Sequence, residues 1–140
     1  MIKLIVGKKG SGKTKKLVDL ANEAVKKAKG HVVFIDMDNS KMFQIDYRAR
    51  FMHINEYKME NEMEFYAFLC GVVASNYDIE YVYVDGLMKM STGGLDSLQP
   101  FFDRLSSIEL KYNISFVFGI SWDQENVPAY LKRFQLEFLS

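Results

Sequence analysis

The sequence predicts an α/β fold, a three-layer αβα sandwich around a mainly parallel, five-stranded sheet. Three observations predict it. Short apolar runs rich in β-branched residues recur at 1–6, 31–35, 80–84 and 114–120. Longer segments with apolar residues at helical spacing separate them, the order expected of strand–helix–strand units. The strand runs are also apolar on both faces, as strands of a parallel sheet covered by helices must be.

The first run, Met1 to Val6, ends at Gly7 and reads as a buried strand. The period then changes. Leu17, Leu20, Ala21, Ala24, Val25 and Ala28 share one helical face, so a helix is expected over 13–29, with Gly30 as its stop. Lys26, Lys27 and Lys29 occupy its last turns, where the helix dipole favours cations. His31 to Ile35 forms the second strand and leads into the acidic segment Asp36-Met37-Asp38. A short strand near 51–54 is an open reading, and the expected sheet does not count it.

Asn61 reads as an N-cap, with Glu62 and Glu64 in the first turn of a helix. That helix is apolar over most of its girth and is expected to be largely buried. Glu80 to Val84 is the third strand, ending at Asp85-Gly86, and Ser91-Thr92-Gly93-Gly94 is a loop. A helix is expected over 97–112, with Pro100 in its first turn, and Ile114 to Ile120 is the fourth strand. Pro128 to Arg133 suits a short helix. Phe134, Leu136 and Phe138 alternate with polar residues, which predicts a fifth strand, a helical tail being the alternative.

At 140 residues the chain is expected to be one domain, 1–140. Its single cysteine, Cys70, excludes an intrachain disulfide, and His31 and His53 lack a metal-ligand pattern. The longest nearly pure apolar run, Phe65 to Ala74, is about half of a membrane span. No signal-peptide pattern opens the sequence, so no membrane partner and a cytoplasmic location are expected. Eighteen Lys and Arg balance eighteen Asp and Glu, which argues against a dedicated nucleic-acid coat. The balance hides a split: residues 1–30 carry nine lysines against Asp19 and Glu23 alone.

The lysine-rich segment contains Gly7-Lys8-Lys9-Gly10-Ser11-Gly12-Lys13-Thr14. It matches G-x-x-x-x-G-K followed by Ser or Thr at every fixed position, between a predicted strand and a predicted helix. Glycines let the backbone curl so that successive amides face phosphate oxygens, and the following helix adds its positive end. Lys13 suits the β and γ phosphates and Thr14 offers a hydroxyl to Mg²⁺. Tyr81-Val82-Tyr83-Val84-Asp85 delivers an acid to a strand's carboxyl end, where ligands of open α/β sheets bind.

On these two motifs, a Walker A and a candidate Walker B, the chain resembles P-loop NTPases. Within that class it is most similar to the RecA-like ATPase core. The resemblance implies ATP and Mg²⁺ as ligands, held by Gly7, Lys8, Lys9, Gly10, Ser11, Gly12, Lys13 and Thr14, with Thr14 and Asp85 on the metal. Asp38 is the best match to the carboxylate that orients water, with Asp36 second. The family usually carries Glu there. Ser121, ending Phe118-Gly119-Ile120-Ser121, matches the γ-phosphate sensor. Lys13, Asp38 and Asp85 are then the catalytic candidates.

Three functions follow from this reading: a Mg²⁺-dependent ATP-binding protein with slow hydrolysis, a small-molecule or nucleotide kinase, and a nucleotide-stabilised, non-catalytic assembly module. The guanine-reading pattern Asn/Thr-Lys-x-Asp is absent, which favours adenine. Little chain follows the fourth strand to build a lid, which counts against the kinase, although Arg48 and Arg50 offer an acceptor site. The resemblance also implies a homo-oligomer or partner protein completing the site, with Arg133 as a finger acting in trans, and a DNA contact at the 91–94 loop. No basic stripe supports the DNA contact. Trp122 suits base stacking and plain packing equally.

Overall fold

The computed structural model describes residues 1–37 and 44–140. Among them are six strands: β1 (Ile2–Gly7), β2 (His31–Asp36), β3 (Arg50–His53), β4 (Ile79–Asp85), β5 (Ser115–Ser121) and β6 (Gln135–Leu139). Three helices join them: α1 (Lys13–Lys27), α2 (Glu62–Ala74) and α3 (Gln99–Tyr112). The sheet order is β3-β2-β4-β5-β1-β6 and every neighbouring pair is parallel. The α/β class and the parallel sheet flanked by helices are as expected. The strand count is corrected from five to six, because β3 pairs with β2 as an edge strand of four residues. None of these four is fully buried, so β3 leaves little trace in hydropathy.

Period-2 alternation sorts the strand residues between two apolar layers. On one face Leu4, Val33, Ile35, Val82, Val84, Phe116 and Phe118 meet α2 and α3. Phe101, Phe102 and Phe118 pack edge-to-face there, with ring centroids 5.2–6.0 Å apart, geometries that aromatic quadrupoles favour. On the other face Ile5, Val32, Phe34, Tyr83 and Val117 meet Leu17, Val18, Ala21 and Ala24 of α1. This alternation also aims the strand ends. Asp85 follows Tyr83 by two, Asp36 follows Phe34, Gly119 and Ser121 follow Val117, and Gly7 follows Ile5, so all five fall on the α1 side.

Most element boundaries lie within two residues of expectation. α1 ends at Lys27, two residues early, with Ala28 in extended conformation as its cap. The N-cap at Asn61 is present, its side chain accepting from the Met63 and Glu64 amides. Pro100 lies in the first turn of α3. The tail is strand rather than helix, and 129–133 is a 3₁₀ turn. The expectation that α2 is largely buried is too strong. Phe65, Leu69, Val72 and Val73 are buried, whereas Ala67, Gly71 and Ala74 are exposed, because no layer covers the outer side of the helix. Among the described residues no helix is long and apolar enough to cross a membrane.

Candidate functional site

Because the sheet is wholly parallel, the carboxyl ends of its strands share one edge. In register across it, Gly7 pairs with Ser121, Asp85 with Gly119, and Asp36 with Asp85. The 8–12 loop rises from β1 at this edge and delivers the chain into α1. Gly10 and Gly12 take φ of 85° and 96°, which a side chain disfavours. Gly12 is the N-cap of α1, no described side chain caps that end, and no acid stands in its first turn. The start of α2, by contrast, is closed by Asn61 and faced by Glu62 and Glu64. The first amides of α1 therefore remain available to an external anion.

A pocket of about 610 Å³ opens beside the loop. Lys13, Thr14, Asp36, Asp85, Gly119 and Ser121 are among its lining residues. Lys13 is only 7% exposed, and its Nζ donates to the Lys8 carbonyl at 2.8 Å. Burial lowers its pKa below the ordinary lysine value, while the nearby Asp85 carboxylate opposes that shift. Thr14 Oγ1 donates to Asp85 Oδ2 at 2.8 Å, joining the first turn of α1 to the end of β4. Gly119 permits this approach: a Cβ there would lie 2.8 Å from Leu17 Cδ1 and 3.3 Å from Asp85 Oδ1.

The structure thus brings together the 7–14 loop, Asp85 and Ser121. Asp38 lies outside the described residues. Asp36 is buried, stands in backbone register with Asp85, and accepts from the Met37 amide at 2.7 Å. Alternation gives Asp36 the same facing as Asp85, a signal independent of the resemblance that ranks it second to Asp38. Lys9, expected from the motif, lines the pocket, and so does Lys89, which sequence reasoning missed. Lys89 is reached through the turn after Gly86, a bend that hydropathy does not signal.

Other candidates lie elsewhere. Arg50 opens β3 and Arg48 is paired with Asp46 at 2.9 Å, both at the amino-end edge of the sheet, away from the loop. Arg133 precedes β6 at that same edge, paired with Asp103 and stacked on Phe134 at 4.6 Å. Trp122 packs on Gly94 and donates Nε1–H to the Asn126 carbonyl at 3.0 Å. The 91–94 loop is fastened by Ser91 and Ser97, whose hydroxyls donate to the Gly94 carbonyl at 2.9 and 2.7 Å.

Among the described residues no three His, Cys, Asp or Glu side chains cluster as metal ligands. Thr14 and Asp85 offer two hard oxygens, a donor set that fits Mg²⁺ when phosphates and water complete its shell. The chain matches no protein-family model and no curated protein.

Proposed function

We propose that the chain is a Mg²⁺-dependent ATP-binding protein of the P-loop class with slow hydrolysis. The observation that carries this reading is the Thr14–Asp85 hydrogen bond of 2.8 Å beside an uncapped helix start and a buried Lys13. Loop amides and the Lys13 ammonium supply donors to the phosphates. Thr14 and Asp85 would hold Mg²⁺, which would supply charge neutralisation to the phosphates. Asp36, with Asp38 two residues on, offers the carboxylate that orients water. Ser121 offers a hydroxyl from the strand between loop and acid.

Nothing at the site favours the kinase reading, since Arg48 and Arg50 stand at the opposite sheet edge. The test is titration with Mg²⁺-ATP. Wild type should bind, and Lys13→Ala should weaken binding by about a hundredfold, the loss of a charge-assisted contact in a buried site. Unchanged affinity in Lys13→Ala would remove the phosphate role. Turnover by the wild type, measured beside it, separates an ATPase from a non-catalytic module.

A further inference from the structure

The motif accounts for two lysines of the pocket, Lys9 and Lys13. A third, Lys89, lines it from outside the motif. Lys89 closes a short 3₁₀ turn, Leu87–Lys89, that starts at Gly86 immediately after Asp85. Gly86 takes φ of 95°, and its missing side chain leaves room for two neighbours. A Cβ there would lie 2.6 Å from Met37 Cγ and 3.7 Å from Lys89 Cδ. The Lys89 stem therefore passes over Gly86, the residue after Asp85, and Lys89 lines the same pocket as the loop. The Lys89 side chain has no ion pair among the described residues, whereas Lys3, Lys15, Lys16 and Lys26 each have one.

Position along the sheet edge assigns this cation a target. The loop follows β1, and Asp85 ends β4, two strands away, a strand separation of about 10 Å that Thr14 bridges by its hydrogen bond to Asp85. A triphosphate anchored in the loop by its inner phosphates would extend its outermost group toward Asp85 and Gly86, and a diphosphate would end short of them.

We propose that Lys89 contacts the terminal phosphate of a nucleoside triphosphate held by the 7–14 loop, and so makes the site select triphosphate over diphosphate. This rests on the function proposed above. It also supplies a cation to that phosphate from within one chain.

The test compares ATP and ADP affinities, each with Mg²⁺, for wild type, Lys89→Met and Lys89→Arg. Lys89 is exposed, so Met, which keeps most of the stem, leaves the fold intact. Lys89→Met should weaken ATP binding about tenfold and leave ADP binding within about twofold, while Lys89→Arg retains the wild-type preference. Equal losses for both nucleotides, or none for either, would overturn the Lys89 assignment while leaving nucleotide binding in place. A wild type that binds neither nucleotide, with Lys13→Ala indistinguishable from it, would overturn the function and the assignment together.

Discussion

Lys13 is 7% exposed, its Nζ donates to the Lys8 carbonyl, and the attraction of Asp85 opposes the effect of burial. Burial is the larger influence and lowers its pKa from 10.5. Between that lowered value and 10.5 the unfolded chain holds the extra proton, so stability rises with pH there. Replacing Lys13 by Met should stabilise the free protein at neutral pH and flatten the rise on the alkaline side, read by urea unfolding at several pH values. Nucleotide affinity has the opposite dependence. It needs the ammonium, so it should fall as pH rises through the same lowered pKa, and a binding curve flat up to 10.5 would contradict the lysine's role. The acid proposed to orient water is open to direct comparison. Asp36→Asn should lower ATP turnover by at least about tenfold with nucleotide affinity retained, the ordinary range for a general base or water-positioning group. If Asp38→Asn alone has that effect, the assignment of Asp36 fails. The loop, Thr14 and Asp85 were legible because their spacing is a motif. Asp36 was legible as the second match to the water-orienting acid, but its pairing with Asp85 requires knowing that β2 and β4 are neighbours.

The helices differ in how their starts are satisfied, and that difference is written in the sequence. Asn61 accepts from the Met63 and Glu64 amides, and Asn61→Ala should cost about 1 kcal/mol of unfolding free energy, measured by denaturant titration. α1 has Gly12 in the equivalent place and no acid in its first turn, which leaves its first amides available to an anion. Elements with a continuous apolar signal were read within about two residues. Those that depend on tertiary partners were not. β3 has four half-exposed or exposed residues and becomes a strand by pairing with β2. α2 is apolar beyond what its neighbours cover, so composition overstated its burial. In β6 the alternation identified a strand, yet Phe138 is 47% exposed and Glu137 is drawn in by Lys3 at 3.0 Å and Lys16 at 3.4 Å. An ion pair that spans three elements leaves no period in the sequence.

The whole chain is neutral, and the fold gives its internal charge split a geometry. Part of the lysine excess at residues 1–30 is met locally, by Lys15 with Asp19 and Lys26 with Glu23, and part by Glu137 from the far end of the chain. Of the five that remain, Lys27 and Lys29 stand at the end of α1, and Lys8, Lys9 and Lys13 belong to the loop, where Lys9 and Lys13 share the pocket with Lys89. Asp36 and Asp85 lie between these cations, at the carboxyl ends of neighbouring strands. An edge that alternates cations, acids and uncapped amides suits a metal-bound polyphosphate better than a bare anion or a bare metal. The arginines Arg48, Arg50 and Arg133 are at the opposite edge, so any arginine among these three that reaches a terminal phosphate does so from a second molecule. The measurement that tests the central claim most directly is a crystal structure of the chain with Mg²⁺ and a non-hydrolysable ATP analogue. The account predicts the β-phosphate within hydrogen-bond reach of the 10–14 amides, with the ion between Thr14 and Asp85. A nucleotide bound away from the loop, or phosphates in the loop with Thr14 and Asp85 still bonded to each other and no ion between them, would contradict it.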